Sequence, residues 1–323
     1  MTVTPDAEDP RELAEGESDA VTVAFSDATA DVCGVARIGR ARSGGEIVTS
    51  GLAMLFAGGG PVAVRAEGGT EPDAETTSWG GIEAAGLETE IVEPLRAWRV
   101  HFADADGRHG FSLDLSALSE PAVLEAGLPA SRLGGMEGYD QLVHVSGSVV
   151  VDGQTRRFTG RGQRGHSWGT PDWDKLALAR TIGVWLEDGR GVTMTTVRPA
   201  KAASHAEEAI HAVLLAPPGE DDDEHVGGGA AVALGGAVAT VIADPRLSTT
   251  YDAEGRQRHA GLELYVGADD DHAHRAAGEA ACGTTLDLGR LRLDCAFFTW
   301  RMEGQSGVGR YDVLRRVADG AAA

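Results

Sequence analysis

Residues 162–174 read GQRGHSWGTPDWD, and two folds compete for them. Gly165-His166-Ser167-Trp168-Gly169 matches G-x-S-x-G, the pattern that sets a nucleophilic serine on a sharp turn between a buried parallel strand and a helix. Such a strand is close to continuously apolar. Here the preceding run, RRFTGRGQRG (156–165), is polar and rich in glycine, and Pro171 follows closely and opposes an immediate helix. A serine-aspartate-histidine set can be assembled from Ser167, Asp244 and His259, but an acidic chain of 323 residues offers such sets freely. A serine hydrolase using Ser167 therefore stays an alternative that its surroundings disfavour.

Working outward, the dominant signal is alternation with a period of two, broken by acidic-glycine turns. Trp98, Val100 and Phe102 share a face; after the turn at Gly107 so do Phe111, Leu113 and Leu115. Val143, Val145, Val149 and Val151 run into Asp152-Gly153. Ile182, Val184 and Leu186 run into Asp188-Gly189, with Val192 and Met194 beyond, and Ala296, Phe298, Trp300 and Met302 run into Glu303-Gly304. Alternation closed by D-G or E-G marks β-hairpins. The chain is therefore read as mostly β and antiparallel, with few short helices, the best candidates being 172–180 and 204–211. The stretch 217–230, PPGEDDDEHVGGGA, reads as an inserted loop. The expected organisation is an acidic disordered tail over 1–18, a β-domain over 19–160 and a second over 161–319. The two domains are allowed to be copies of one architecture without visible sequence similarity.

Composition narrows the partners. Lys+Arg number 28 against Asp+Glu 50, a net charge of −22. That field repels phosphate backbones and anionic lipid surfaces, so no nucleic acid and no stable membrane insertion are expected. No apolar run reaches the ~18–20 residues that span a bilayer, and the N-terminus lacks the basic and apolar regions of a secretory signal; a cytoplasmic location is expected. Cys33, Cys282 and Cys295 form no C-x-x-C, which argues against a disulfide framework or a structural zinc. His272 and His274 stand either as metal ligands or as part of a polar loop, and no ligand run at a telling spacing supports the first.

The block GYDQLVHVSGSVVVDGQTRRFTGRGQRGHSWGTPDWD (138–174) resembles one in the carotenoid 1,2-hydratase/AttH-like family, in the sequence G-Y-x-Q, then V-x-G-x-V-x-V-D-G, then an acid before H-S-W-G. GVARIGRARSGGE (34–46) and WRMEGQSGVGRYDVLRR (300–316) resemble that family's opening and closing strands. The resemblance implies a calycin fold of two lipocalin-like antiparallel β-barrels packed side by side, with the motif near their junction. It implies apolar isoprenoid or polyketide-like substrates, no cofactor and no metal. In the hydratases of that family the carboxyl group before His-Ser-Trp-Gly serves as proton donor. Here Gly165 replaces it, so either another acid substitutes or the activity differs or is absent. The same replacement creates the G-x-S-x-G match.

Each candidate residue has two readings. His166 either handles a proton, since imidazole titrates near neutral pH, or fixes its loop through backbone hydrogen bonds. Asp172 either acts as the acid or pairs with Arg164, which otherwise contacts substrate. Trp168 and Trp173, with Trp185, either wall an apolar pocket or pack structurally. Tyr139 and Gln141 are polar handles in a cavity if they face a barrel interior, and surface residues otherwise. Ser167 is expected to cap a turn. The resulting expectation is a cofactor-independent enzyme that hydrates, dehydrates, isomerises or cyclises a hydrophobic small molecule in an apolar cavity. The alternative is a non-catalytic carrier for the same class of ligand.

Overall fold

The computed structural model describes residues 3–29, 31–70, 78–204, 207–217 and 237–317. The chain divides into two units, Met1–Val123 with Met136–Thr170, and Leu124–Gly135 with Pro171–Ala323. The boundary expected at 160/161 would cut a single continuous strand.

The first unit carries β1 (Ser18–Ser26), β2 (Val32–Ser43), β3 (Glu46–Ala57), β4 (Gly60–Thr70), β5 (Leu87–Glu93), β6 (Ala97–Ala103), β7 (Gly110–Ala117), β8 (Ala122–Leu124), β9 (Met136–Val151) and β10 (Gln154–Gly169). They form one antiparallel sheet ordered β4-β3-β2-β1-β10-β9-β7-β6-β5, with β8 alongside β9. The second unit carries β11 (Leu176–Leu186), β12 (Gly191–Pro199), β13 (Ala209–Ala216), β14 (Val238–Val241), β15 (Asp244–Tyr251), β16 (Gln257–Tyr265), β17 (His274–Leu288), β18 (Leu291–Met302) and β19 (Gln305–Arg316). Their order is β14-β13-β12-β11-β19-β18-β17-β16-β15. In both units the first strand lies between the second and the last, so one architecture is used twice.

The turns show why these sequences form hairpins. Val151 pairs with Gln154 across Asp152-Gly153, and Met302 pairs with Gln305 across Glu303-Gly304. All four turn residues have positive φ, from 50° to 81°. That is the two-residue turn whose twist matches paired strands, and glycine takes it without the strain a Cβ adds. Each sheet curls around the face its alternation makes apolar. Phe25, Trp98, Phe111, Val145 and Phe158 are among the core of the first unit; Ile182, Leu262, Phe298, Trp300 and Tyr311 are among that of the second.

Three expectations change. Neither proposed helix forms: residues 176–180 belong to β11, where Leu176, Leu178, Arg180 and Ile182 alternate, and β13 begins at Ala209, while 205–206 lie outside the described residues. The short helix α1 (Pro129–Gly134) forms instead, opened by proline and closed by Gly135 at φ 66°. Ser167 does not cap a turn; it sits inside β10, antiparallel to both β1 and β9, with no helix leaving it. That geometry removes the nucleophile elbow and the serine hydrolase with it. The expected tail is built into the first unit: Pro5–Glu8 form a 3-10 turn, and Glu8 and Leu13 are buried. The loop expected over 217–230 lies outside the described residues from 218 onward. All three cysteines are buried and none is in a disulfide. Among the described residues no helix is long and apolar enough to cross a membrane.

Candidate functional site

Alternation decides which side chains enter the first unit. On β1 the inward residues are Asp19, Val21, Val23 and Phe25; on β10 they include Phe158, Arg164, His166 and Trp168; on β9, Tyr139, Gln141, Val143 and Val145. The register sets His166 opposite Val21 and Tyr139, and Trp168 opposite Asp19. The inward faces of β1 and β9 are thus apolar along most of their length, β10 adds Phe158 and two glycines, and all three are polar at the same end. The N-terminal segment crosses that end.

Glu8 enters it side chain first. Its Oε1 accepts from Arg164 Nη1 at 2.6 Å and from the Tyr139 hydroxyl at 2.6 Å, and its Oε2 accepts from Trp98 Nε1 at 2.8 Å. The Glu8 carbonyl accepts from Trp79 Nε1 at 2.9 Å. Arg164 also donates to the Tyr139 oxygen at 3.1 Å and lies 4.8 Å from the centre of the Trp98 ring. Glu8 is 1% exposed and Arg164 2%. Burial pushes the Tyr139 phenol well above its ordinary range, with Arg164 opposing, so the hydroxyl remains a donor. A buried charge pair is stable only when its remaining hydrogen-bonding capacity is filled, and removing one partner costs about 3–5 kcal/mol.

Beside it lies a second pair. His166 Nε2 is 2.6 Å from Asp19 Oδ1, and both residues are fully buried. Asp19 Oδ2 accepts from the Arg11 backbone N–H at 2.8 Å. His166 Nδ1 is 2.9 Å from the Ala7 carbonyl oxygen. A carbonyl only accepts, so Nδ1 carries a hydrogen, and a second proton is shared between Nε2 and the carboxyl group. The ring is walled edge-on by Trp168 at 5.3 Å, Trp79 at 5.6 Å and Tyr139 at 5.9 Å, and Arg11 covers Trp168 at 4.2 Å. Both imidazole nitrogens are therefore engaged while Ala7 is in place. Chemically the pair is a carboxylate-oriented imidazole whose far N–H is held by the Ala7 carbonyl.

The structure brings Arg164, His166, Trp168 and Tyr139 into this cluster and leaves the other candidates out. Gln141 is buried but clamps backbone, its amide nitrogen donating to Ser119 O at 3.0 Å and Leu95 O at 3.2 Å. Asp172 belongs to the second unit, exposed, 2.8 Å from Lys175 and not paired with Arg164. Lys175 holds its carboxyl below the usual range, the opposite of what a proton donor needs. Trp173 is half-buried in the second unit, and Trp185 packs edge-on to Phe297 there, 6.3 Å away. His274 Nδ1 lies 2.6 Å from Glu303. Position 165 faces outward, and a Cβ there would meet Asp140 Oδ1, from the residue directly opposite on β9. An acid thus does stand beside this position, supplied by the neighbouring strand.

Sequence reasoning missed Glu8, Asp19, Trp79 and Arg11. Asp19 had a readable signal, since it continues the alternation of Val21, Val23 and Phe25. Glu8 had none: one acid among many in a polar segment.

Two curled antiparallel sheets of one topology, the first with a buried acid-base cluster at one end, define a lipocalin-like double-β protein. The chain belongs to the family described as a domain of unknown function, DUF7064, whose model matches residues 4–317. Its fold is that of the AttH-like group. A candidate AttH from Nitrosomonas europaea superposes with a TM-score of 0.62 at 13% identity, covering 93% of this chain and 92% of that one. CghA follows at 0.58 and 12%, covering 94% and 89%, and kievitone hydratase from Nectria haematococca at 0.54 and 9%, covering 92% and 88%. None of the curated proteins matches the chain by sequence.

Proposed function

We propose that the protein is an enzyme that moves a proton on a hydrophobic small molecule, by hydration, dehydration, isomerisation or cyclisation, with the His166–Asp19 pair as the proton-handling group. One observation carries this reading: a fully buried imidazole–carboxylate pair at the polar end of the first unit's interior. Burial of such groups is costly without a task for them. Two proteins that share the fold add support, one named for a hydratase activity and one also solved with Sch210972. In the proposed step, Nδ1–H protonates an unsaturated carbon and Asp19 stabilises the imidazole through Nε2. Water then adds to the cation or a neighbouring proton is lost, which returns the ring to its starting state. Trp79, Trp168 and Tyr139 surround the imidazole and exclude solvent from it. Proton transfer of this kind needs no cofactor. Asp172 has no part in it, being exposed and paired with Lys175.

The test is deuterium incorporation at carbon when a panel of polyenes, isoprenoid alcohols and enones is incubated with the protein in D2O. Wild type and Asp172→Asn are expected to label the same compound, and His166→Gln and Asp19→Asn to lose at least ~100-fold, the usual scale for a general acid-base group. Equal labelling by all four proteins removes the pair from the chemistry. A carrier is the second reading, favoured by the engagement of both imidazole nitrogens. It predicts a lipophilic molecule recovered unchanged on extraction and no labelling by any variant.

A further inference from the structure

Comparison of the two units isolates an asymmetry. Arg164 and Arg315 follow the turn glutamines Gln154 and Gln305 at the same spacing on β10 and β19, and both face inward. Arg315 finds its acid in its own wall: Nη2 is 3.2 Å from Asp294 Oδ2 on β18. The same spacing before the turn on β9 is occupied by Val143. In the first unit, then, the wall contributes Arg164, Tyr139 and Trp98, three donors that converge on one point, while the wall's own acid, Asp19, pairs with His166. The carboxylate comes from a segment outside the sheet, whose short turn is held by backbone bonds of 2.9 Å (Ala7 N to Thr4 O) and 3.4 Å (Asp9 N to Asp6 O).

We infer that Arg164, Tyr139 and Trp98 form a carboxylate receptor for ligands, and that Glu8 is its built-in occupant. The inference rests on the proposed function and deepens it by naming the substrate class: a monocarboxylic acid with an apolar body. Two donors on one oxygen and one on the other fit a planar carboxylate, and a guanidinium favours that geometry. Beyond the receptor the inward residues of β1 and β9, Val21, Val23, Phe25, Val143 and Val145, are buried in the apolar core, so an apolar body is the kind this interior would accept on opening. Departure of Glu8 also lifts the neighbouring Ala7 carbonyl off His166 Nδ1, so seating the acid and freeing the proton donor are one event. No bond is made or broken in this binding step; one carboxylate replaces another.

Glu8→Ala removes the atoms of one acetate ion and leaves the receptor open. Thermal melting of Glu8→Ala in sodium acetate is therefore expected to rise by several degrees over sodium chloride at equal ionic strength, with acetamide without effect. Wild type should shift by less than a degree, and Glu8→Ala/Arg164→Leu should not respond. An equal rise with acetamide would mean simple space filling, and no rise with acetate would mean no receptor; either overturns the inference. If Glu8→Ala does not fold in chloride, refolding yield in acetate against acetamide is read instead, with the same expected order. Because melting reads the receptor without turnover, its failure is separable from loss of deuterium labelling, which reads the His166–Asp19 pair.

Discussion

At the scale of single residues, environment separates groups that composition makes equal. Asp19 and Asp172 are both aspartates near the motif strand. One is buried against an imidazole and a backbone N–H; the other is in water beside a lysine. Tyrosine shows the same sorting. Burial raises the pKa of Tyr139 and of Tyr311 well above the ordinary value. A raised pKa means the folded state holds the proton longer. Its contribution is complete below pH ~10, where a free tyrosine also keeps its proton, and is lost as pH climbs above that. Alkaline difference spectra should therefore show Tyr139 and Tyr311 ionising together with unfolding. Removing Tyr139 by Phe should delete that component and destabilise the fold by about 1–3 kcal/mol, since Glu8 and Arg164 lose a buried partner. Phenolate absorbance from Tyr139 in a still-folded protein would contradict this.

At the scale of elements, β10 carries most of the site and its spacing is tight. Gly162 faces inward two residues before Arg164, and a Cβ on it would run into the Ala24 carbonyl of β1. Backbone cannot yield as a flexible side chain can, so Gly162→Ala should cost about 2 kcal/mol or more in denaturant unfolding. Gly153→Ala, on the exposed turn, should cost about 1 kcal/mol through its positive φ alone. The reverse order would mean that β1 and β10 are not in this register. The strands were legible in the sequence because each has one inward face, which leaves a period of two wherever Val, Phe and Trp alternate with polar residues. Tyr139 was open to an inward reading for the same reason, whereas Arg164 and His166 stood out only through the family-like motif, in a stretch read as a loop. The false helix over 172–180 arose where charged turn residues, Asp172 to Lys175, ran directly into Leu176 and Leu178 and masked the alternation. The N-terminal segment was illegible because its docking depends on one carboxylate meeting three donors far away in sequence, Trp98, Tyr139 and Arg164, and composition carries no trace of such a meeting.

At the scale of the molecule, one architecture appears twice and has diverged at matching places. The turns Asp152-Gly153 and Glu303-Gly304 are equivalent in conformation, yet the inward arginine beyond each is neutralised differently, by Glu8 in the first unit and by Asp294 in the second. Val317 follows Arg315 where His166 follows Arg164. The acid-base pair is thus confined to the first unit, and so is the proposed chemistry. Its central physical claim is that His166 and Asp19 are sealed together beneath residues 7–11. The imidazole N–H signals of His166 in a nitrogen-15 NMR spectrum test this most directly. In the full chain both N–H protons should be visible and slow to exchange with water, and deletion of residues 1–12 should make the Nδ1–H exchange fast while a signal from the Asp19-bound Nε2 persists. A His166 ring that exchanges as quickly as the surface histidines in the full chain, or that ignores the deletion, would contradict the claim.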